Sequence, residues 1–166
     1  MDLQNNIVEQ SNYETDYEIE RGKPLPSKNH GKIQARLTRA LLNKYVDKYD
    51  VESEVSLELT SGRATPDVII SEPTIDDWMN DEVRVTIPPI TAIEILSPKQ
   101  GLDDVKDKII NIYFKAGVKS AWLIIPTFQT VYVMTPDLKV KTFTEGVIKD
   151  SATGVEIDMS EIFPKK

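Results

Sequence analysis

The run Ile90-Thr91-Ala92-Ile93-Glu94-Ile95-Leu96-Ser97 constrains this chain more than any other segment. It is almost continuously apolar, rich in β-branched side chains, and bounded by Pro89 and Pro98. A run of this kind forms a strand covered on both faces, since no alternating polar side is left to meet water. Glu94 interrupts it. An ionised carboxylate inside a sheet is costly unless donors or a cation meet it. Glu94 therefore needs a compensating partner, a metal ion or a lysine, and its strand needs neighbours on both sides.

The order of elements supplies those neighbours. A helix is expected from about Asn29 to Asp47, with Ile33, Leu37, Ala40 and Leu41 at the i, i+4, i+7, i+8 spacing of one buried stripe. Val51 to Leu59 alternates apolar and polar residues as a half-exposed strand does. Ser61-Gly62 turns the chain towards a short apolar strand that begins near Asp67. Residues 71–88 form an irregular, acidic excursion that ends at Pro88-Pro89. After the Glu94 strand a second helix runs from about Leu102 to Ala116 and stops at Gly117. Ser120 to Ile125, Thr130 to Met134 and Val140 to Phe143 are three more strands, whereas Val155 to Phe163 carries no clear pattern. Residues 1–27 are polar, with Gly22, Pro24 and Pro26 breaking any regular pattern, and are expected as a lightly ordered extension before one domain over 28–166. Strands on both sides of the second helix predict an α/β fold, a mixed central sheet flanked by helices.

Composition narrows the chemistry. At 166 residues the chain is long enough to bury roughly two-thirds of its unfolded surface in one core. It has no cysteine, which excludes disulfides, thiolate catalysis and cysteine-zinc sites, and its single histidine excludes a multi-histidine metal centre. No apolar run approaches the ~18 residues of a membrane span. The start lacks a basic and then apolar signal pattern, so a cytoplasmic location is expected. The net charge of −7 opposes binding to phosphate polyanions. Its distribution does not: the acids Glu72, Asp76, Asp77, Asp81 and Glu82 cluster in 71–83, whereas Lys99, Lys106, Lys108, Lys115 and Lys119 sit in 98–119.

Two carboxylates on neighbouring strands can hold Mg²⁺ or Mn²⁺, hard cations that prefer oxygen ligands and keep several waters. Asp67 and Glu94 are the pair, and a bound metal there would activate water against a phosphodiester. The plainer readings are a turn aspartate after Pro66 and a glutamate paired with a basic side chain across the sheet. The second helix is expected to add a lysine that stabilises developing charge. At 100° per residue, Leu102, Val105, Ile109, Ile112 and Ala116 face the core. Lys108 then lies on one flank of that stripe, and Lys106 lies on the other near Tyr113. Lys108 is the choice and Lys106 the reserve; an Asp104–Lys108 surface ion pair is the plainer reading. His30, at the start of the first helix and one turn before Gln34, is the candidate proton carrier, against a capping or surface role. Ile110 and Phe114 are expected on the outer face of the second helix, four residues apart, as an apolar surface for a homodimer or a covering segment.

Taken together, Pro66-Asp67-Val68, Pro89 to Pro98 around Glu94, Asp104 to Lys108, Tyr113, Gly117-Val118 and Trp122-Leu123-Ile124 resemble the Uma-two family, within the PD-(D/E)XK superfamily of restriction-endonuclease-like proteins. Pro26-Ser27-Lys28-Asn29-His30 resembles that family's entry to its first helix, and the resemblance spans roughly residues 17 to 135. It implies a restriction-endonuclease-like fold, a divalent metal, and cleavage of phosphodiester bonds in DNA. By position it implies that Asp67 and Glu94 are the metal acids and that the carbonyl of Ile95 is a further ligand. The superfamily carries a lysine two residues after the second acid, and Leu96 stands there instead. Recruitment of the lysine from the next helix, as the family resemblance implies, agrees with Lys108. The spacing from Lys108 to Tyr113 is one residue off the family's pattern. The expected activity is a Mg²⁺- or Mn²⁺-dependent endonuclease acting on DNA. The alternative is a catalytically inactive module of the same fold that binds nucleic acid or protein.

Overall fold

Glu94 lies in the middle of the sheet its sequence demanded. In the structure, a computed structural model that describes residues 16–166, β1 (Asp50–Ser53), β4 (Val68–Ser71), β5 (Thr91–Ile95), β6 (Ser120–Ile125), β7 (Thr130–Met134) and β8 (Val140–Phe143) lie side by side in that order. Only β5 and β6 run parallel, Ile95 beside Ile124; the other neighbours are antiparallel. Every residue of β5 is buried. The architecture is the expected mixed sheet with helices.

Alternation sends the two faces of each central strand to different helices. Val68, Ile70, Ile93, Ile95, Trp122 and Ile124 pack with Ile33, Leu37, Ala40 and Leu41 of α2 (Lys28–Tyr45). Ser27 caps α2 by accepting the His30 N–H at 3.2 Å. On the opposite face, Ile69, Ala92 and Leu123 pack with Val105, Ile109 and Tyr113. These last three come from α3 (Leu102–Lys108) and the π-helical turns Ile109–Phe114 that continue it. Gly117, at φ 100°, ends this helix in a conformation that other residues rarely adopt.

Several local expectations change. Residues 1–15 of the polar start lie outside the described residues, but 16–27 include α1 (Asp16–Arg21) and a buried Lys23. The single strand expected over 51–59 is broken at Glu54, whose φ is 60°. β1 joins the main sheet, while β2 (Leu57–Leu59) pairs with β3 (Gly62–Ala64) and buries Leu57 and Leu59 over the α3 side. Val155 to Phe163 resolves into β10 (Glu156–Asp158), paired with β9 (Val147–Lys149), and α4 (Met159–Ile162). Leu102, expected in the core, is exposed. Ile110 and Phe114, expected on an outer apolar face, are both half-buried, and Phe114 packs against the second core. The widened turns rotate this part of the helix relative to regular α geometry, which brings Phe114 to the core and leaves Ile110 partly exposed. Among the described residues no helix is long and apolar enough to cross a membrane.

One buried carboxylate belongs to the core. Asp150 accepts hydrogen bonds from Ser120 Oγ (2.6 Å) and Trp122 Nε1 (2.7 Å), which ties the strand region before β10 to β6.

Candidate functional site

Asp67 and Glu94 are both about 1 % exposed, yet different parts of the fold hold them. Asp67 precedes β4, and its N–H reaches the Ile93 carbonyl at 3.1 Å, which sets it beside the end of β5. The Ile95 N–H donates to its Oδ2 at 2.6 Å. Lys23 Nζ and His30 Nε2 both meet its Oδ1, at 2.6 and 3.0 Å. Glu94 shares the sheet face of Ala92 and looks towards α3, where Lys108 Nζ lies 3.3 Å from Oε1 and the Tyr113 hydroxyl donates to the same oxygen. Its other oxygen, Oε2, is buried with no hydrogen-bond partner among the described residues.

Lys108 and Tyr113 meet on one oxygen because of the π-helical turns. Five residues of α-helix correspond to about 500°, leaving two side chains roughly 140° apart. A π turn closes an i→i+5 hydrogen bond, so the fifth residue returns to the same side. Ser61 of the β2–β3 turn donates its hydroxyl to the Ile112 carbonyl within these turns at 2.5 Å. Of the two lysines weighed from the sequence, Lys108 reaches Glu94; Lys106 is exposed and pairs with Asp103 at 2.8 Å.

Two contributors, Lys23 and Glu54, carried no sequence signal. Lys23 lies in Gly22-Lys23-Pro24, with no periodicity to mark it, yet it is buried against Asp67 and sits 3.7 Å from Glu54 Oε2. Glu54 looked like the outer face of a strand. The left-handed backbone there costs a non-glycine residue about 1 kcal/mol, and it turns the carboxylate inward, where Arg21 and Gln34 Nε2 (3.0 Å) bind it. Gln34 also donates to the Asp67 carbonyl at 3.1 Å. Tyr113 lay on the far flank of an ideal helix and is fully buried in the real one.

The charges are mutually dependent. Burial pushes the Lys23 ammonium down from its usual value, while the nearby Asp67 and Glu94 charges pull it back. Burial pushes the Asp67 carboxyl up, but the His30 hydrogen bond and the Lys23 charge outweigh it and hold the group below the usual carboxylate value. Burial, then the Glu94 charge, drives the Tyr113 hydroxyl well above the ordinary tyrosine range, so it stays a donor. The charges of both acids bear on Lys23 and on Tyr113.

No cluster of three or more acidic, histidine or cysteine side chains of metal-binding type occurs among the described residues. A hard divalent ion needs only one or two carboxylates besides carbonyl and water oxygens. The orphaned Glu94 Oε2 offers such an oxygen. A strand residue's N–H and C=O leave on the same edge, so the Ile95 carbonyl faces the edge where its N–H meets Asp67. The donor set fits a magnesium-type ion.

The model of the Uma2 family, described as "Putative restriction endonuclease", matches residues 8–160. The chain belongs to the Uma2 family. A solved structure with the same fold is a "putative nuclease belonging to DUF820" from Anabaena variabilis ATCC 29413. It superposes with a TM-score of 0.72 over 84 % of this chain and 83 % of that one, at 23 % sequence identity. No curated protein matches the chain. The Uma2 fold thus surrounds Asp67 and Glu94 with the same sheet and helices that the sequence pattern anticipated.

Proposed function

We propose that this Uma2 protein is a divalent-metal-dependent nuclease that hydrolyses phosphodiester bonds in DNA. The observation that carries the reading is the buried, unpartnered Oε2 of Glu94, on a carboxylate whose other oxygen is already satisfied. An acceptor left dry inside a protein is costly unless something meets it. Mg²⁺ or Mn²⁺ held by Asp67, Glu94 and the Ile95 carbonyl would supply Lewis acidity and an activated water.

The chain's own side chains have separable tasks. Tyr113 and Lys108 fix Glu94 through Oε1 and leave Oε2 directed into the site. The Lys108 ammonium, on a side chain about 16 % exposed, is placed to meet negative charge that grows on a phosphate during attack. His30 holds Asp67 through Nε2, and its buried Nδ1 has no hydrogen-bond partner among the described residues. Lys23 balances the Asp67 and Glu54 charges. Leu96 cannot supply the superfamily's lysine, and Lys108 takes its place from the helix.

The expected result is nicking of supercoiled plasmid in Mg²⁺ or Mn²⁺, abolished by Glu94→Ala. Equal nicking by that variant would refute the assignment. A second reading, a nuclease-fold module without catalysis, draws on one observation: Lys23 and Lys108 already lie against the two acids, balancing them without a metal. That reading expects no heat above background when Mn²⁺ is titrated calorimetrically, and retained DNA binding without cleavage.

A further inference from the structure

A basic groove opens at the end of the sheet that carries the acids. β6 runs parallel to β5, with Ile124 beside Ile95, so Pro126 lies just beyond the strand end that bears Glu94. There the turn Pro126–Gln129, the outer flank of α2 and the tail after α4 enclose a cavity of about 420 Å³. Lys32, Arg36, Lys165 and Lys166 line it without a single acidic side chain, and Phe163 and Pro126 contribute apolar surface. Among the described residues, neither Lys32 nor Lys165 nor Lys166 makes a salt bridge. Asp158, the carboxylate that senses Lys165, is occupied by the Ser160 N–H and hydroxyl at 2.9 and 2.7 Å. Arg36 Nη1 donates to the Ile162 carbonyl at 3.5 Å, a contact that anchors the arginine and leaves its charge unneutralised.

Four cations gathered in one concavity are unexpected on a chain of net charge −7. The acidic segment after Ser71 departs from the other end of β4, where Ser71 pairs with Asp50 and Ile70 pairs with Thr91. Charge is thus sorted along the sheet. Phe128, about 77 % exposed, projects from the same turn that forms one wall. Cationic walls beside an exposed aromatic ring are the usual means of holding a nucleic-acid strand without reading its sequence.

We propose that this groove binds the sugar–phosphate backbone of the nucleic acid whose scissile bond lies at Asp67 and Glu94. The inference rests on the nuclease reading for its orientation, and the groove itself is a separate binding site. Adjacent strands lie about 4.8 Å apart, so the β6–β7 turn is roughly 10 Å along the sheet end from the β4–β5 pair. Backbone charge recurs about every 3.4 Å of rise along one strand. The lateral offset alone spans about three nucleotides of backbone, and because the groove lies on the α2 side of the sheet while Glu94 faces Lys108 and Tyr113, it contacts phosphates beyond the scissile one.

The test is fluorescence anisotropy of a labelled DNA duplex, and of one of its single strands, across a salt series in EDTA. Lys32→Glu/Lys165→Glu should weaken binding about tenfold at moderate salt. It should also flatten the slope of log K against log salt by about 1.8 for the duplex and about 1.4 for the single strand, the loss of two phosphate contacts. Lys139→Glu/Lys141→Glu makes the same change in net charge on the β7–β8 hairpin and should leave that slope intact. Equal effects from both pairs, or wild-type protein that binds neither probe, would overturn the groove. EDTA separates the two proposals: a wild type that binds through the groove yet nicks nothing in Mn²⁺ refutes the nuclease and leaves the groove standing. Calorimetric titration with Mn²⁺ should be the same for wild type and Lys32→Glu/Lys165→Glu, and a lost metal signal would mean that the substitutions disturbed the fold.

Discussion

Replacing Lys23 by methionine tests the site most directly, because it removes a charge while keeping an unbranched apolar stem. The lysine is about 8 % exposed, 2.6 Å from Asp67 Oδ1 and 3.7 Å from Glu54 Oε2. Removing one partner of a buried ion pair commonly costs 3–5 kcal/mol, since the other charge is left without compensation. Asp67 keeps His30 Nε2 and the Ile95 N–H, and Glu54 keeps Arg21, so the lower end of that range applies, about 3 kcal/mol. For a chain of this length each kcal/mol corresponds to roughly 2–4 °C, so Tm should fall by about 6–12 °C in EDTA. Mn²⁺ should restore much of that loss: a ligand at a hundred times its Kd stabilises by about 2.7 kcal/mol. Wild type should gain less, since its acids already hold a cation. Differential scanning calorimetry with and without Mn²⁺ measures all four values. A Tm change under about 2 °C in EDTA would refute the buried pair. A metal-induced gain no larger in Lys23→Met than in wild type would refute the idea that lysine and metal answer the same carboxylates.

Other outcomes follow from the same geometry. Tyr113→Phe removes a buried donor to a carboxylate and should cost roughly 2 kcal/mol in urea denaturation. In the Glu94→Gln background the cost should shrink, and a double-mutant coupling below about 0.5 kcal/mol would contradict the contact. Metal-free stability should also depend on Asp67 in acid. Its folded carboxyl is held below the ordinary value near 3.8, so its contribution is present above that value and is lost as pH falls through the lower folded one. Asp67→Asn should therefore flatten the acid limb of the stability curve below about pH 4, and an unchanged limb would count against the pairing. Asp150→Ala strands the Trp122 Nε1 donor, whereas Ser120 Oγ keeps Thr91 Oγ1 at 2.7 Å, and should cost about 2 kcal/mol without altering Mn²⁺ binding by calorimetry.

The strongest sequence signals concerned burial. The apolar run around Glu94 fixed β5 as a central strand, and the stripe Ile33, Leu37, Ala40 and Leu41 gave the buried face of α2. Three later strands appeared at their expected limits, because alternation and flanking turn residues are local properties. Asp67, Glu94, His30 and Lys108 were legible as candidates through residue type and position, and the structure sets His30 against Asp67 and Lys108 against Glu94. What escaped was non-local. Lys23 becomes buried only when the segment before α2 folds against the start of β4. Glu54 turns inward only because its backbone enters the left-handed region, which glutamate has no local reason to do. Phe114 meets the second core for a related reason, since its expected outer position assumed 100° per residue through turns that are wider.

Those wider turns also bear on how side chains are placed from helical spacing alone. An inserted residue within a rod normally swings everything beyond it to a new bearing, and a loop is the usual place to absorb one. Here the wider turns are confined to Ile109–Phe114, Ser61 latches the coil from outside, and the tyrosine lands on the glutamate beside the lysine. Counting at 100° per residue from the lysine would place Tyr113 on the far flank, whereas its hydroxyl touches the carboxylate.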